Sequence, residues 1–389
     1  MRGRTAGFWL LAAVLGLLLA AASAPSPLYA IYAERWGFSS TTLTAIFAVY
    51  ALALLAALLT TGRLSDRLGR RPVLAAGLAV MAAAMAAFVL AHGVTALYVA
   101  RILQGVGTGI ATGAISAWLL DLEPPTRPGL GSVAGAIAPM VGLAAGAVGS
   151  AVLVQYGPDP LRLVYWVLTA AFVAALVALP LVADDVRRTR GWLAGLRPRV
   201  GVPPEARALF AASAPSLIAT WALGALYLSL GPSLAVNLLA DDSRLAGGLV
   251  IAALAGAGAI ASVAARSRPP RAIVVGGSLV LIVGVGMTLL AVATDIPALL
   301  YAGSVVAGVG FGPAFSGVFR SLAPLAEPQE RSGLLAAIYV VSYLAFSLPA
   351  VAAGVAVTRW GLHPTTYAYG AAVMTLALAT TVAVSGRRA

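Results

Sequence analysis

Residues 40–91 read STTLTAIFAVYALALLAALLTT, GRLSDRLGR, RPVLAAGLAVMAAAMAAFVLA: two apolar runs around one short polar loop. Each run has the roughly 20 residues that a helix needs to cross a hydrocarbon core about 30 Å thick. The loop between them is too short for anything but a direct return across the membrane. Outward from this hairpin the same alternation fills the chain. Its breaks predict helices near 6–32, 40–61, 72–91, 95–119, 130–154, 162–183, 207–235, 246–265, 272–293, 297–320, 332–357 and 365–384. With 61% hydrophobic and 10% charged residues and a mean hydropathy of +0.96, the chain has too few charges to disperse in water. The expected fold is an all-α membrane protein with twelve transmembrane helices in two parallel six-helix bundles, seated in a lipid bilayer.

The charge pattern orients it. The net charge is +12. With the N-terminus inside, twenty of the 25 basic residues lie on the cytoplasmic side, and Arg35, Arg162, Arg244 and Arg359 lie outside. Arg101 stays within a helix. Short loops with that asymmetry put both termini in the cytoplasm, so the charge reads as topology and nucleic acid is excluded as a partner. All the basic residues are arginine, which fits a GC-rich bacterial genome and an inner-membrane location. Ala22-Ser23-Ala24 after an apolar stretch also resembles a signal-peptide cleavage site. Pro25 would follow the cut, so the first helix is read as retained and bent by Pro25 and Pro27.

Several chemistries are excluded. Without cysteine there are no disulfides, thiolate metal sites or Cys nucleophiles, and without lysine no Schiff base and no P-loop. His92 and His363 are the only histidines and fall in predicted outer loops. No cluster of catalytic groups falls at membrane depth. The reading is not an enzyme, with no metal and no cofactor.

Residues 184–206, DDVRRTRGWLAGLRPRVGVPPEA, form the one long polar stretch. They read as a cytoplasmic linker between bundles 1–183 and 207–389, with a short amphipathic helix around Trp192. The halves repeat. Leu97-Tyr98 and Gly105-Val106-Gly107-x-Gly109 recur 203 residues later as Leu300-Tyr301 and Gly308-Val309-Gly310-x-Gly312. With a one-residue shift, Arg127, Gly157, Pro160 and Tyr165 match Arg331, Gly361, Pro364 and Tyr369. Each copy has an even number of helices, so the copies run parallel.

The loop Gly62-Arg63-Leu64-Ser65-Asp66-Arg67-Leu68-Gly69-Arg70-Arg71-Pro72 is more than a basic turn, because topology explains its arginines but not Asp66 or the flanking glycines. It resembles the loop signature G-x-L-a-D-r-x-G-r-[RK]-x of the major facilitator superfamily of secondary transporters, met at Gly62, Leu64, Asp66, Arg67, Gly69, Arg70 and Arg71. The resemblance implies a cytoplasmic gate. Asp66 would face the N-terminus of the helix starting near Ser332, and Arg70 would pair with Asp121. An anion suits the positive end of a helix, and such a latch can break during a transport cycle. The matching loop of the second half, Arg266-Ser267-Arg268-Pro269-Pro270-Arg271, has lost the Asp and Gly, so one well-formed latch is expected.

Arg101-Ile102-Leu103-Gln104-Gly105-Val106-Gly107 resembles the R-x-x-Q-G-x-g pattern of the superfamily's drug–proton antiporters. An arginine inside a span normally faces a cavity or an internal partner. Arg101, Gln104, Thr108 and Thr112 lie at i, i+3, i+7 and i+11 and make one polar stripe. The stripe favours a substrate or coupling cavity over an arginine that snorkels to headgroups. All thirteen acidic residues fall in loops or at helix ends; Glu34, just past the first helix, is the nearest candidate partner for Arg101.

By the repeat, Ser304, Ala307, Phe311 and Phe315 stand where that stripe stands. With Tyr339, Tyr343 and Phe346 they form either an aromatic cavity wall or ordinary packing. Tyr29, Tyr32 and Tyr50 either extend the wall or belong to an interfacial belt. Gly142-x-x-x-Gly146 in the fifth helix is part of an antiporter-like pattern that small-residue packing also explains. The expected function is export of a hydrophobic or amphipathic small molecule in exchange for protons, by a monomer working through alternating access. A polar-metabolite transporter and a transporter-like sensor are the alternatives.

Overall fold

The computed structural model describes residues 2–127, 129–184, 198, 200–239, 243–327 and 330–386. The amphipathic helix expected around Trp192 lies outside them. Twelve helices are long and apolar enough to cross a membrane: α1 Arg4–Trp36, α2 Ser40–Thr61, α3 Arg70–Val89, α4 Val94–Asp121, α5 Leu130–Tyr156, α6 Leu163–Leu181, α7 Pro204–Ser229, α8 Leu245–Ala264, α9 Pro270–Thr294, α10 Pro297–Leu325, α11 Arg331–Trp360 and α12 Leu362–Ser385. Among the described residues there is no strand. The number and order agree with the sequence.

Differences occur where proline or glycine acts. α1 runs past residue 32 to Trp36, but in pieces: a helix ending at Ser23, a 3-10 turn Ser26–Leu28, and a second helix Tyr29–Trp36. Pro25 and Pro27 have no N–H for the i→i−4 ladder, so the helix breaks where they stand. α7 was expected as one piece over 207–235. It starts earlier, at Pro204, and gives way to a separate helix Gly231–Leu239. Pro204 and Glu205, read as linker, belong to α7 because proline suits the first helical position. His363, expected in a loop, lies in the first turn of α12 and stands 2.9 Å from Asn237 Oδ1.

By its contacts the chain forms two compact units, Met1–Pro25 with Val49–Pro198, and Ser26–Ala48 with Arg199–Ala389. The expected halves 1–183 and 207–389 therefore differ from these units at Ser26–Ala48. The reason is packing after the break in α1. Within the second unit Thr41 Oγ1 lies 3.0 Å from Thr358 Oγ1, and a Cβ on Gly354 would run into Thr44.

The repeat has a physical basis in helix approach. In the first unit a Cβ on Gly105 or Gly109 would strike the α2 backbone at Tyr50 or Leu54, and one on Gly107 would meet Met81 of α3. In the second unit Gly308 and Gly312 press in the same way on Leu254 and Gly258 of α8, and Gly310 on Leu281 of α9. Three glycines in each copy thus let one helix touch two neighbours, which is how helices pack tightly in lipid.

Candidate functional site

The polar stripe of α4 forms, and its upper members turn inward. Arg101 and Gln104 are 0% exposed and Thr108 is 1% exposed, so Arg101 does not snorkel. Its Nη1 donates to Gln104 Oε1 at 2.7 Å and to the Ala22 carbonyl at 3.2 Å, and Gln104 Nε2 donates to the Ala21 carbonyl at 2.7 Å. From α5, Ser150 Oγ donates to the Ala24 carbonyl at 2.5 Å. These carbonyls lie at or just past the end of the first piece of α1, where the ladder lacks donors. A guanidinium is well suited there, since the helix C-terminus carries partial negative charge. The guanidinium also lies over the rings of Tyr50 and Phe88, at 5.2 and 5.9 Å from their centroids. Phe88 in turn stacks on Tyr165 at 4.6 Å. The hydroxyls of Thr108 and Thr112 donate back to Gln104 O and Thr108 O at 2.8 and 2.7 Å.

Glu34 is an exposed residue of the second unit. Tyr29, Tyr32 and Tyr50 are buried, at 1%, 2% and 6% exposure. The interfacial-belt reading of these three is therefore corrected. Tyr29 packs on Phe47 at 4.9 Å and Tyr32 stacks on Trp36 at 4.7 Å.

In the second unit the expected aromatics assemble around a residue that sequence reasoning missed, Trp221 of α7. Its ring meets Tyr343 at 4.8 Å, Phe315 at 5.7 Å and Phe346 at 6.3 Å, all edge to face. Tyr339 stacks on Tyr343 at 6.1 Å, and the Phe311 ring is 3.5 Å from where a Gly224 Cβ would stand. Trp221, Phe311, Phe315, Tyr339 and Tyr343 are half-buried. This leaves ring surface free of protein. The lone-residue position of Trp221 gave no periodic signal; only its distance to α10 and α11 reveals it.

At the other end of the first unit, Arg70 is the hub of the loop. Its Nε lies 3.1 Å from Asp121 Oδ2, and its Nη1 donates to Ser65 Oγ at 2.8 Å and also pairs with Asp66. The Arg70–Asp121 pair implied by the resemblance is formed. Gly69 has φ +99°, a backbone that favours glycine, and Gly62 presses on Leu58 O, where a Cβ would come within 2.7 Å. Arg67 sits half-buried in the short helix Ser65–Leu68, and Arg71 is the second residue of α3. Ser332 is the second residue of α11, in the second unit.

The family profile described as Major Facilitator Superfamily matches residues 8–348. The chain belongs to the major facilitator superfamily. Over 125 residues it is 30% identical to the multidrug resistance protein MdtL of Klebsiella pneumoniae (strain 342), a match that spans 32% of this chain and 32% of that protein. Among solved structures, the fold is similar to that of the nucleoside transporter NupG in its D323A form, with a TM-score of 0.71 and 14% identity, covering 97% of this chain and 99% of that one. It is also similar to the human organic anion transporter MFSD10 (TETRAN), with a TM-score of 0.69 and 17% identity over 97% and 99% of the two chains.

Proposed function

We propose that this superfamily member is a secondary active transporter that exports a hydrophobic or amphipathic small molecule by alternating access, in exchange for protons. It acts as a monomer in a bacterial inner membrane, with both termini cytoplasmic. The observation that carries the substrate class is the half-buried aromatic array around Trp221. Such faces bind apolar and amphipathic solutes with few polar contacts. The partial likeness to a bacterial multidrug resistance protein supports the same reading. The arginine excess on one side supports the orientation. In this proposal Asp66, Arg70 and Asp121 serve as a cytoplasmic gate, with Gly62, Gly69, Arg67 and Arg71 shaping its loop. The α4 stripe is a substrate or coupling site of the first unit, and the aromatic array a substrate site of the second.

A second reading is favoured by one observation: in the sequence all thirteen acidic residues lie outside the interiors of the apolar runs. A carrier without a carboxylate at membrane depth can also move its solute down the solute's own gradient.

Flux in proteoliposomes with an imposed pH gradient, screened with lipophilic cations and with sugars, tests these readings. The expected result is movement of the lipophilic solutes that slows when the gradient is collapsed. Unchanged flux after collapse favours the second reading; movement of sugars alone removes the substrate class. Binding without flux makes the chain a sensor.

Trp221→Ala is expected to raise the apparent KM for a transported lipophilic cation about tenfold, because each lost aromatic contact is worth roughly 0.5–1.5 kcal/mol. Trp221→Phe should keep most of the affinity. Concentration-dependent flux measures both, and an unchanged KM in Trp221→Ala would make the array ordinary packing.

A further inference from the structure

The start of the central linker is fastened to the loop between α2 and α3. Asp184 Oδ2 accepts the backbone N–H of Arg71 at 2.9 Å, across 113 residues of sequence. Arg71 is the second residue of α3, and the residue before the helix, Gly69, has no side chain with which to cap it. The carboxylate therefore supplies from a distance what an N-cap residue supplies locally: an acceptor for a free N–H and negative charge at the positive helix end. Gly69 makes room for it. A Cβ there would stand 3.2 Å from Asp184 Oδ2, on a backbone with φ +99°.

The two residues before Asp184 are held as well. Arg71 Nη2 donates to the Val182 carbonyl at 2.6 Å, and Trp118 Nε1, near the inner end of α4, donates to the Ala183 carbonyl at 2.9 Å. Three successive residues are thus tied to groups that flank the Arg70–Asp121 pair. The second unit keeps only part of this device. Arg271 Nη2 donates to the Ser385 carbonyl at 2.7 Å, as Arg71 does to Val182, but α9 begins at Pro270 with no side-chain cap. Among the described residues, the first unit alone adds a carboxylate.

We propose that Asp184 is a positioning residue of the cytoplasmic gate. By capping α3 it fixes where Arg70 stands against Asp66 and Asp121, and it fixes where the linker leaves the first unit. The register of the gate and the departure of the linker are then set by one side chain. This inference rests on the gate reading of the 62–72 loop, and its test separates the two.

The chain has no cysteine, so a single Thr112→Cys reports accessibility of the α4 stripe without background. The full-length protein in proteoliposomes is compared with Asp184→Ala, Asp184→Asn and Asp66→Asn. Asp184→Ala is expected to speed hydrogen exchange of the amides at 70–74 about five- to tenfold, the effect of losing one N-cap. It should also shift maleimide labelling of Thr112→Cys in the same direction as Asp66→Asn. Asp184→Asn keeps an acceptor oxygen and should retain most of the slow exchange. Unchanged exchange in Asp184→Ala overturns the inference. So does a variant that is only less heat-stable, with wild-type labelling, while Asp66→Asn does move the labelling. If Asp66→Asn leaves labelling unchanged, the gate reading fails and takes the positioning role with it, and exchange at 70–74 then decides the cap alone.

Discussion

Gly142→Val is expected to prevent assembly of the first unit. A Cβ at Gly142 would run into the Gly16 carbonyl, with Gly16 Cα at 2.9 Å, and one at Gly146 would meet Ser23 Oγ at 2.5 Å. α1 and α5 therefore touch backbone to backbone, and Ser23 Oγ donates across the seam to the Leu143 carbonyl at 2.8 Å. No rotamer change can relieve a clash with a main-chain oxygen, so the helices must separate and lose their contacts. Overpacking of this kind costs about 3 kcal/mol, with the lost hydrogen bond in addition. That is a large part of the stability of a typical domain. The measurement is the yield of monodisperse protein and its thermal unfolding. Gly149→Val, on the same helix at a position where nothing lies within 4 Å of the added Cβ, is the control and should be tolerated. Equal loss in both variants would refute the seam.

Arg101→Ala is expected to lower both stability and transport. The side chain is fully buried and joins four groups: the Ala22 carbonyl, Gln104, and the rings of Tyr50 and Phe88. Its removal leaves two buried acceptors short of a donor, at roughly 1–3 kcal/mol each. It also removes a desolvated cation–π contact worth up to about 2 kcal/mol. A loss of about 3 kcal/mol should lower the Tm by several degrees. Transport per folded molecule should fall at least tenfold, because the end of the first α1 piece is no longer held. Arg101→Lys should not rescue, since a compact ammonium cannot fork between carbonyl and amide while lying over two rings. A lysine variant with wild-type Tm and flux would show that charge alone suffices.

The twelve spans were legible because hydropathy over 20 residues is set by side chains, and side chains are what a sequence displays. The interruptions were only partly legible. Pro25 and Pro27 announce the break in α1, whereas Gly231-Pro232 sits in an apolar run that hides the break after α7. The Arg70–Asp121 pair was reached because a motif fixed one partner and a helix end offered the other. The surroundings of Arg101 were not reached. Its partners include the main-chain oxygens of Ala22 and, through Gln104, of Ala21, and an alanine gives no sign that its carbonyl has been freed. Trp221 and Asp184 escaped for a related reason: each acts on elements more than 90 residues away in the chain, with no periodicity to mark it.

The break in α1 bears on how the rate should respond to temperature. A continuous helix that bends must stretch several backbone hydrogen bonds, each with its own enthalpy. At Pro25 and Pro27 there is no N–H to lose, and the carbonyls of Ala21, Ala22 and Ala24 are held by side chains of α4 and α5. The compact units also part company between Pro25 and Ser26. A change of angle at this joint has little bond enthalpy to overcome. Its contribution to the activation enthalpy of turnover should therefore be small, leaving the steepness of an Arrhenius plot to the lipid and to the solute.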